Sequence, residues 1–334
     1  MFIVNNYALA VVFCVITMIC WGSWGNTQKL AARTWRYELF YWDYTIGILL
    51  FSILLCFTMG SIGDSGRAFI EDLSQLEGRR IISALTGGVI FNASNILLSA
   101  SVALAGMAVA FPLGVGLALV LGVFINYSGQ PKGDALLLFI GVGLVTLAII
   151  LNGVAARRNE SNGSSKVKKG IGLALLAGLL MSFFYRFVVA SMDLSDFHNP
   201  AAGMATPYTA FFIFSVGVFL SNFIFNTLAM YHPFDGAPVT YSEYFKGKPG
   251  THLVGILGGV VWGLGTALSY IAAGKAGAAV SYALGQGAPM IAALWGLFIW
   301  KEFKGVDRRT TTLLAMMFIL FMAGLAMITV AGNN

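Results

Sequence analysis

The chain has 334 residues, 58% of them hydrophobic and only 10% charged, with a mean hydropathy of +0.81. Soluble domains carry about one quarter charged residues, so this composition belongs to the lipid bilayer and leaves no length for a separate soluble catalytic domain. The net charge of +6 sits in the connections between apolar stretches, which ties it to membrane orientation and argues against a nucleic-acid partner.

Ten apolar stretches follow in order: 7–24, 39–59, 81–102, 105–125, 135–153, 171–191, 206–229, 253–273, 277–300 and 312–330. Each approaches the length of about 20 residues that a helix needs to cross the hydrocarbon core. Backbone groups in lipid must pair within their own segment, so the stretches are expected to be helices. The first has no basic flank before it and no small-residue cleavage pattern after it, and reads as a permanent span. Cys14, Cys20 and Cys56 have no metal-ligand spacing and read as buried free thiols. His198, His232 and His252 lie near connections without clustered carboxylates, so no metal site is expected. No G-x-x-x-x-G-K loop occurs, so neither a cofactor nor ATP-driven transport is expected of this chain.

Alternate connections differ in basic content. One set holds Lys29, Arg33, Arg36, Arg157, Arg158, Lys166, Lys168, Lys169, Lys246, Lys248, Lys301, Lys304, Arg308 and Arg309; the other holds only Arg67, Arg79, Arg80, Lys132 and Lys275. The positive-inside rule puts the richer set in the cytoplasm, with both termini outside.

An internal repeat organises the ten spans. Residues 87–116 align without a gap on 258–287, with identities at Gly87, Gly88, Val89, Leu97, Ala105, Gly106, Ala108, Val109, Leu113, Gly114 and Gly116. Spans three and four thus match spans eight and nine, and the repeating unit is five helices. The expected division is 1–156, a basic connecting loop 157–170, and 171–334. Because five is odd, the second unit enters the membrane inverted. The expected fold is therefore an all-α membrane protein of ten transmembrane helices in two inverted five-helix repeats, the scaffold of many secondary transporters.

Polar and aromatic side chains at helical spacing mark a candidate solute site: Trp21, Trp24 and Gln28 on the first span, Asn92, Asn95 and Ser99 on the third, Trp262, Thr266 and Tyr270 on the eighth, and Tyr282 and Gln286 on the ninth. The repeat aligns Phe91 with Trp262, Asn95 with Thr266 and Phe111 with Tyr282. Amides offer donor and acceptor and aromatic rings offer stacking, which suits a small, polar, neutral solute. The same residues can instead hold helices together, at about 0.6 kcal/mol each. Asp43 and Arg186 are the charges expected within reach of the membrane and the candidate coupling residues; Asp43 could carry a coupling proton or be a solvated interfacial group, and Arg186 could hold an anionic group or snorkel toward the outer interface. The glycine pairs Gly114/Gly116 and Gly285/Gly287 read as close-packing sites, while Pro112 and Pro289 leave a broken helix open.

Trp21-Gly22-Ser23-Trp24, Tyr41-Trp42-Asp43-Tyr44, Gly60-Ser61-Ile62-Gly63, Gly87-Gly88 with Asn95, and Asn126-Tyr127 carry a more specific likeness. Over about residues 15–155 the chain resembles the ureide permeases and their neighbours, the glucose and rhamnose transporters, within the drug/metabolite transporter superfamily (the EamA-like arrangement). The second half resembles them by topology more than by motif. The resemblance implies proton-coupled uptake of an allantoin-like ureide, a nucleobase or a sugar, with Asp43 in a matching position and a cytoplasmic central loop. Plant ureide permeases carry a longer central loop with a nucleotide-binding-like signature, absent here, so the chain looks like a shorter bacterial relative, placed in the inner (plasma) membrane. An exporter of the same fold is the alternative within transport, and a channel or membrane sensor the alternative outside it.

Overall fold

The computed structural model describes residues 1–159, 165–301 and 305–333. Ten long apolar helices run through it: α1 (Tyr7–Ala31) and α2 (Tyr37–Phe57), α3 (Gly78–Ala105), α4 (Met107–Gly129), α5 (Ala135–Asn159), α6 (Ser165–Val189), α7 (Pro207–Tyr231), α8 (Pro249–Ala276), α9 (Ala278–Ile299) and α10 (Arg308–Asn333). The protein is an all-α, multi-pass membrane protein. Helices α5 and α6 extend into the segment expected to be the basic connecting loop, of which residues 160–164 lie outside the described residues, as does Lys304.

Local chemistry sets the ends. The Asn6 side chain accepts from the Leu9 amide at 2.8 Å and caps α1, Asp134 does the same for Leu137 at the start of α5, and Thr206 followed by Pro207 opens α7. Helices α3 and α8 end at Gly106 (φ 78°, ψ 160°) and Gly277 (φ 83°, ψ 155°), backbone geometry that favours glycine. These two glycines are partners in the repeat alignment, and α3 and α8 are each 28 residues long.

Packing follows the same rule. Helix α3 lies against α6 and α7, and α8 lies against α1 and α2. Helix α4 meets α6 as α9 meets α1, and the contacts α2–α7, α4–α9 and α5–α10 pair each helix with its own counterpart. Exchanging the two halves leaves this set of neighbours unchanged. The closest crossings repeat as well: a Cβ on Gly259 would sit 2.0 Å from the Tyr44 carbonyl oxygen of α2, and one on Gly88 would sit 2.2 Å from the Phe214 carbonyl oxygen of α7. Small residues let helix backbones approach where lipid supplies no hydrophobic driving force.

Helix α4 runs through Pro112 without a break. Helix α9 is interrupted: α-helical turns stop at Gly285, Gln286 (φ −71°, ψ 0°) and Gly287 intervene, and after Leu294 the chain widens into a π-turn at Trp295–Ile299. All four glycines of the two pairs sit in tight contacts, for example Gly285 against Trp21 and Thr17, and Gly116 against Ile149. Cys14, Cys20 and Cys56 are buried free thiols.

The connections gather on two faces. On one, the N-terminal ammonium donates to the Ser65 carbonyl at 2.5 Å, Arg67 to the Pro200 carbonyl at 2.7 Å, and Lys132 to Gly274 at 2.9 Å. On the other, Arg36 donates to the Asp235 carbonyl at 3.0 Å, Lys166 pairs with Asp235 at 2.8 Å, and Lys29 lies over the Trp300 ring. The second face carries the richer basic set.

Candidate solute site

Where the two halves meet, a small internal pocket is walled by aromatic rings. Trp21 and Trp24 of α1 face Phe91 and Asn95 of α3; Phe111 and Val115 of α4, Met181 and Phe184 of α6, Trp262 of α8 and Gln286 of α9 complete most of the wall. Phe91 stacks on Trp262 at 4.1 Å between centroids, and Trp262 lies parallel to Trp21 at 6.1 Å. Phe91 and Trp262 are partners in the repeat alignment, and so are Val115 and Gln286. Both members of these two pairs reach the same pocket, whereas of the pairs Asn95/Thr266 and Phe111/Tyr282 only Asn95 and Phe111 do. The pocket is closed down in this conformation, with room for about one water molecule.

Five of the sequence-selected residues line it: Trp21, Trp24, Asn95, Trp262 and Gln286. The others form the layer behind. Thr266 accepts from the Trp21 indole N–H at 3.0 Å and so sets the ring's orientation. Asn92 donates to Ser221 of α7 at 3.0 Å. Tyr282 donates to the Ala118 carbonyl of α4 at 3.0 Å, and Tyr270 packs on Tyr185 at 5.1 Å. These four act between helices because their hydroxyls and amides find partners before they reach the pocket, or, for Tyr270, because rings enclose it. Arg186 is half-buried against Gly129 at the end of α4, outside the lining. The sequence reading left Phe184, Met181 and Leu98 out of the lining, since apolar residues in an apolar span carry no distinguishing signal.

Asn95 donates to the Tyr41 hydroxyl at 3.2 Å, and Tyr44, one turn further along α2, packs on Trp24 at 4.9 Å. Between them in sequence stands Asp43, on another face of α2. It is 2% exposed and is not a solvated interfacial group. The Tyr244 hydroxyl donates to its Oδ1 at 2.6 Å, and His252 Nδ1 lies 2.9 and 3.0 Å from its two oxygens. The sequence reading did not pair His252 with Asp43; the chain's fold brings together groups more than two hundred positions apart. Burial, followed by the hydrogen bond to Asp43 and that group's charge, raises the Tyr244 phenol above its ordinary range, so it stays a neutral donor. Glu38, at the start of α2, is a further buried acid the sequence reading did not select; Arg36 holds both its oxygens, at 2.5 and 3.1 Å.

The family model for ureide permeases matches residues 40–170 and 157–331, nearly the whole bundle. The chain belongs to the ureide permease family. The two matches overlap at 157–170, the basic connection between the fifth and sixth spans. Ureide permease 1 of Arabidopsis thaliana is 24% identical over 399 aligned positions, covering 100% of both chains, and Ureide permease 2 is 25% identical over 398, again covering 100% of both. A protein of Staphylococcus aureus described as a probable glucose uptake protein, GlcU, is 25% identical over 70% of this chain and 72% of its own. A crystal structure of a protein 15% identical superposes with a TM-score of 0.60 over 96% of this chain and 98% of that one, which shows a shared fold. This permease is a transporter and not an enzyme.

Proposed function

We propose that this permease imports a small, neutral, amide-rich solute of the ureide class, and that a proton moves with it through Asp43 and His252. The observation that carries the reading is the aromatic pocket with two amides, Asn95 and Gln286, contributed by opposite halves. Flat rings stack on a planar ureido group, and amides satisfy its N–H and C=O groups together. The names of the plant relatives support the same class. A sugar is the second reading, favoured by the similarity to the glucose uptake protein and by the same aromatic walls.

In this reading the halves are antiparallel repeats, and rocking between them opens the pocket to each side in turn. The basic face is cytoplasmic, and both termini are outside the plasma membrane. Thermal-shift binding with allantoin, uracil and glucose tests the solute class. Asn95→Ala and Gln286→Ala are each expected to weaken binding of the preferred solute by about 1 kcal/mol, roughly fivefold, with folded yield unchanged. Normal binding by poorly folding variants would assign the amides to packing. Labelled solute should also exchange against unlabelled solute in proteoliposomes; leakage without exchange would indicate a channel.

A further inference from the structure

A second, larger cavity opens on the basic face, between the end of α1, the start of α2 and the α3–α4 junction at Gly106. It offers about 380 Å³ of cavity space, part of it open to solvent. Its charged lining groups are Arg36, paired with Glu38, Asp235, paired with Lys166, and Lys29, which lies over the Trp300 ring. The Glu38 carboxylate raises the Arg36 guanidinium further, and Lys166 lowers Asp235, so Arg36 and Asp235 stay charged beside their partners. What is left without a partner is neutral. Gln28 is 4% exposed and Trp35 7%; the Gln28 Oε1 and the Trp35 indole N–H are both buried with no hydrogen-bond partner, and both residues line this cavity. Buried polar groups without partners each cost about 1–3 kcal/mol, so a rearrangement that pairs them is favoured.

We propose that this vestibule is a second binding site for the same solute, a way-station between the basic face and the central pocket. The two orphaned groups specify the ligand's chemistry. The amide oxygen of Gln28 requires an N–H donor, and the Trp35 indole requires a carbonyl acceptor. A neutral ureido group presents both. Gln28 connects the two sites, because its Nε2 donates to the Ser99 carbonyl at 3.1 Å, one turn along α3 from Asn95. Trp35 connects the vestibule to the buried carboxylate, because its ring lies edge-on against His252 at 4.8 Å.

This inference rests on the ureide reading, and equilibrium binding of radiolabelled allantoin to the purified, full-length protein separates the two. The wild type is expected to bind two allantoin molecules in two affinity classes. Gln28→Leu and Trp35→Phe should each weaken one class about fivefold or more, while Asn95→Ala weakens the other and leaves the first. The Trp35→Phe change keeps the ring and removes only the N–H, so a folded variant isolates the hydrogen bond. One bound allantoin, unaffected by Gln28→Leu or Trp35→Phe, overturns the vestibular site and leaves the ureide reading intact. No binding of allantoin by the wild type overturns both.

Discussion

Asp43→Asn is expected to abolish accumulation of solute driven by a pH gradient while exchange across the membrane continues. The amide has nearly the same shape as the carboxylate. It can still meet the Tyr244 hydroxyl and His252 Nδ1, which now lie 2.6 and 2.9 Å from Asp43 Oδ1. What it cannot do is change charge. A carboxylate enclosed by helices must be matched by a donor or a proton in every conformation, because an isolated buried charge costs several kcal/mol. Opening this corner would part α2 from α8 and from the connection that bears Tyr244, and the Asp43 charge would then need a proton in place of its partners. In the proposed mechanism that requirement is the coupling rule. With one proton per solute, a gradient of one pH unit sustains about tenfold accumulation, since a factor of ten is about 1.4 kcal/mol. In proteoliposomes the variant should reach an inside-to-outside ratio of about one, with counterflow rates retained. A variant that still accumulates solute tenfold would remove Asp43 from the coupling step. Tyr244→Phe leaves the charge in place and is expected to alter rate more than accumulation.

The spans were legible because lipid imposes one rule on every residue of a crossing, and that rule is local. Two aligned glycines, Gly88 and Gly259, both sit where helix backbones cross closely, which is why glycine stood out at those positions. The aromatic lining was half legible. Trp21, Trp24, Trp262, Asn95 and Gln286 stand out from an aliphatic background and reach the pocket, whereas Met181 and Phe184 are indistinguishable in sequence from residues facing lipid. Asn92, Thr266, Tyr270 and Tyr282 share the correct faces of their helices but sit behind the pocket. Helical spacing gives a direction, and cannot tell the first layer from the second. For His252 the sequence was silent for a different reason. Its partner lies 209 residues away, and no pattern within one segment reports which helix packs beside it.

Gly259→Leu is expected to prevent the bundle from assembling, an effect larger than that of any single change in the pocket. At this crossing α8 presses its backbone on α2: a Cβ at Gly259 would stand 2.0 Å from the Tyr44 carbonyl oxygen, and one at Gly47 would stand 2.2 Å from that of Ile256. The obstructing atoms are backbone, so no side-chain rotation relieves them and the helices must separate. Overpacking typically costs about 1–3 kcal/mol per site where neighbours can adjust, and more where they cannot. Separation here would also pull Tyr44 from Trp24 and Trp262, so the pocket wall fails with the crossing. The repeat-related change, Gly88→Leu, meets the Phe214 carbonyl oxygen at 2.2 Å and should be equally damaging. Gly143→Leu on α5 and Gly172→Leu on α6 are the controls, since nothing lies within 4 Å of a Cβ at either position. Detergent-solubilised yield and melting temperature of the four variants decide the matter. Both crossing variants should be lost from the monodisperse fraction and both controls retained. If Gly259→Leu melts like Gly172→Leu, the close contact is not what holds the halves together.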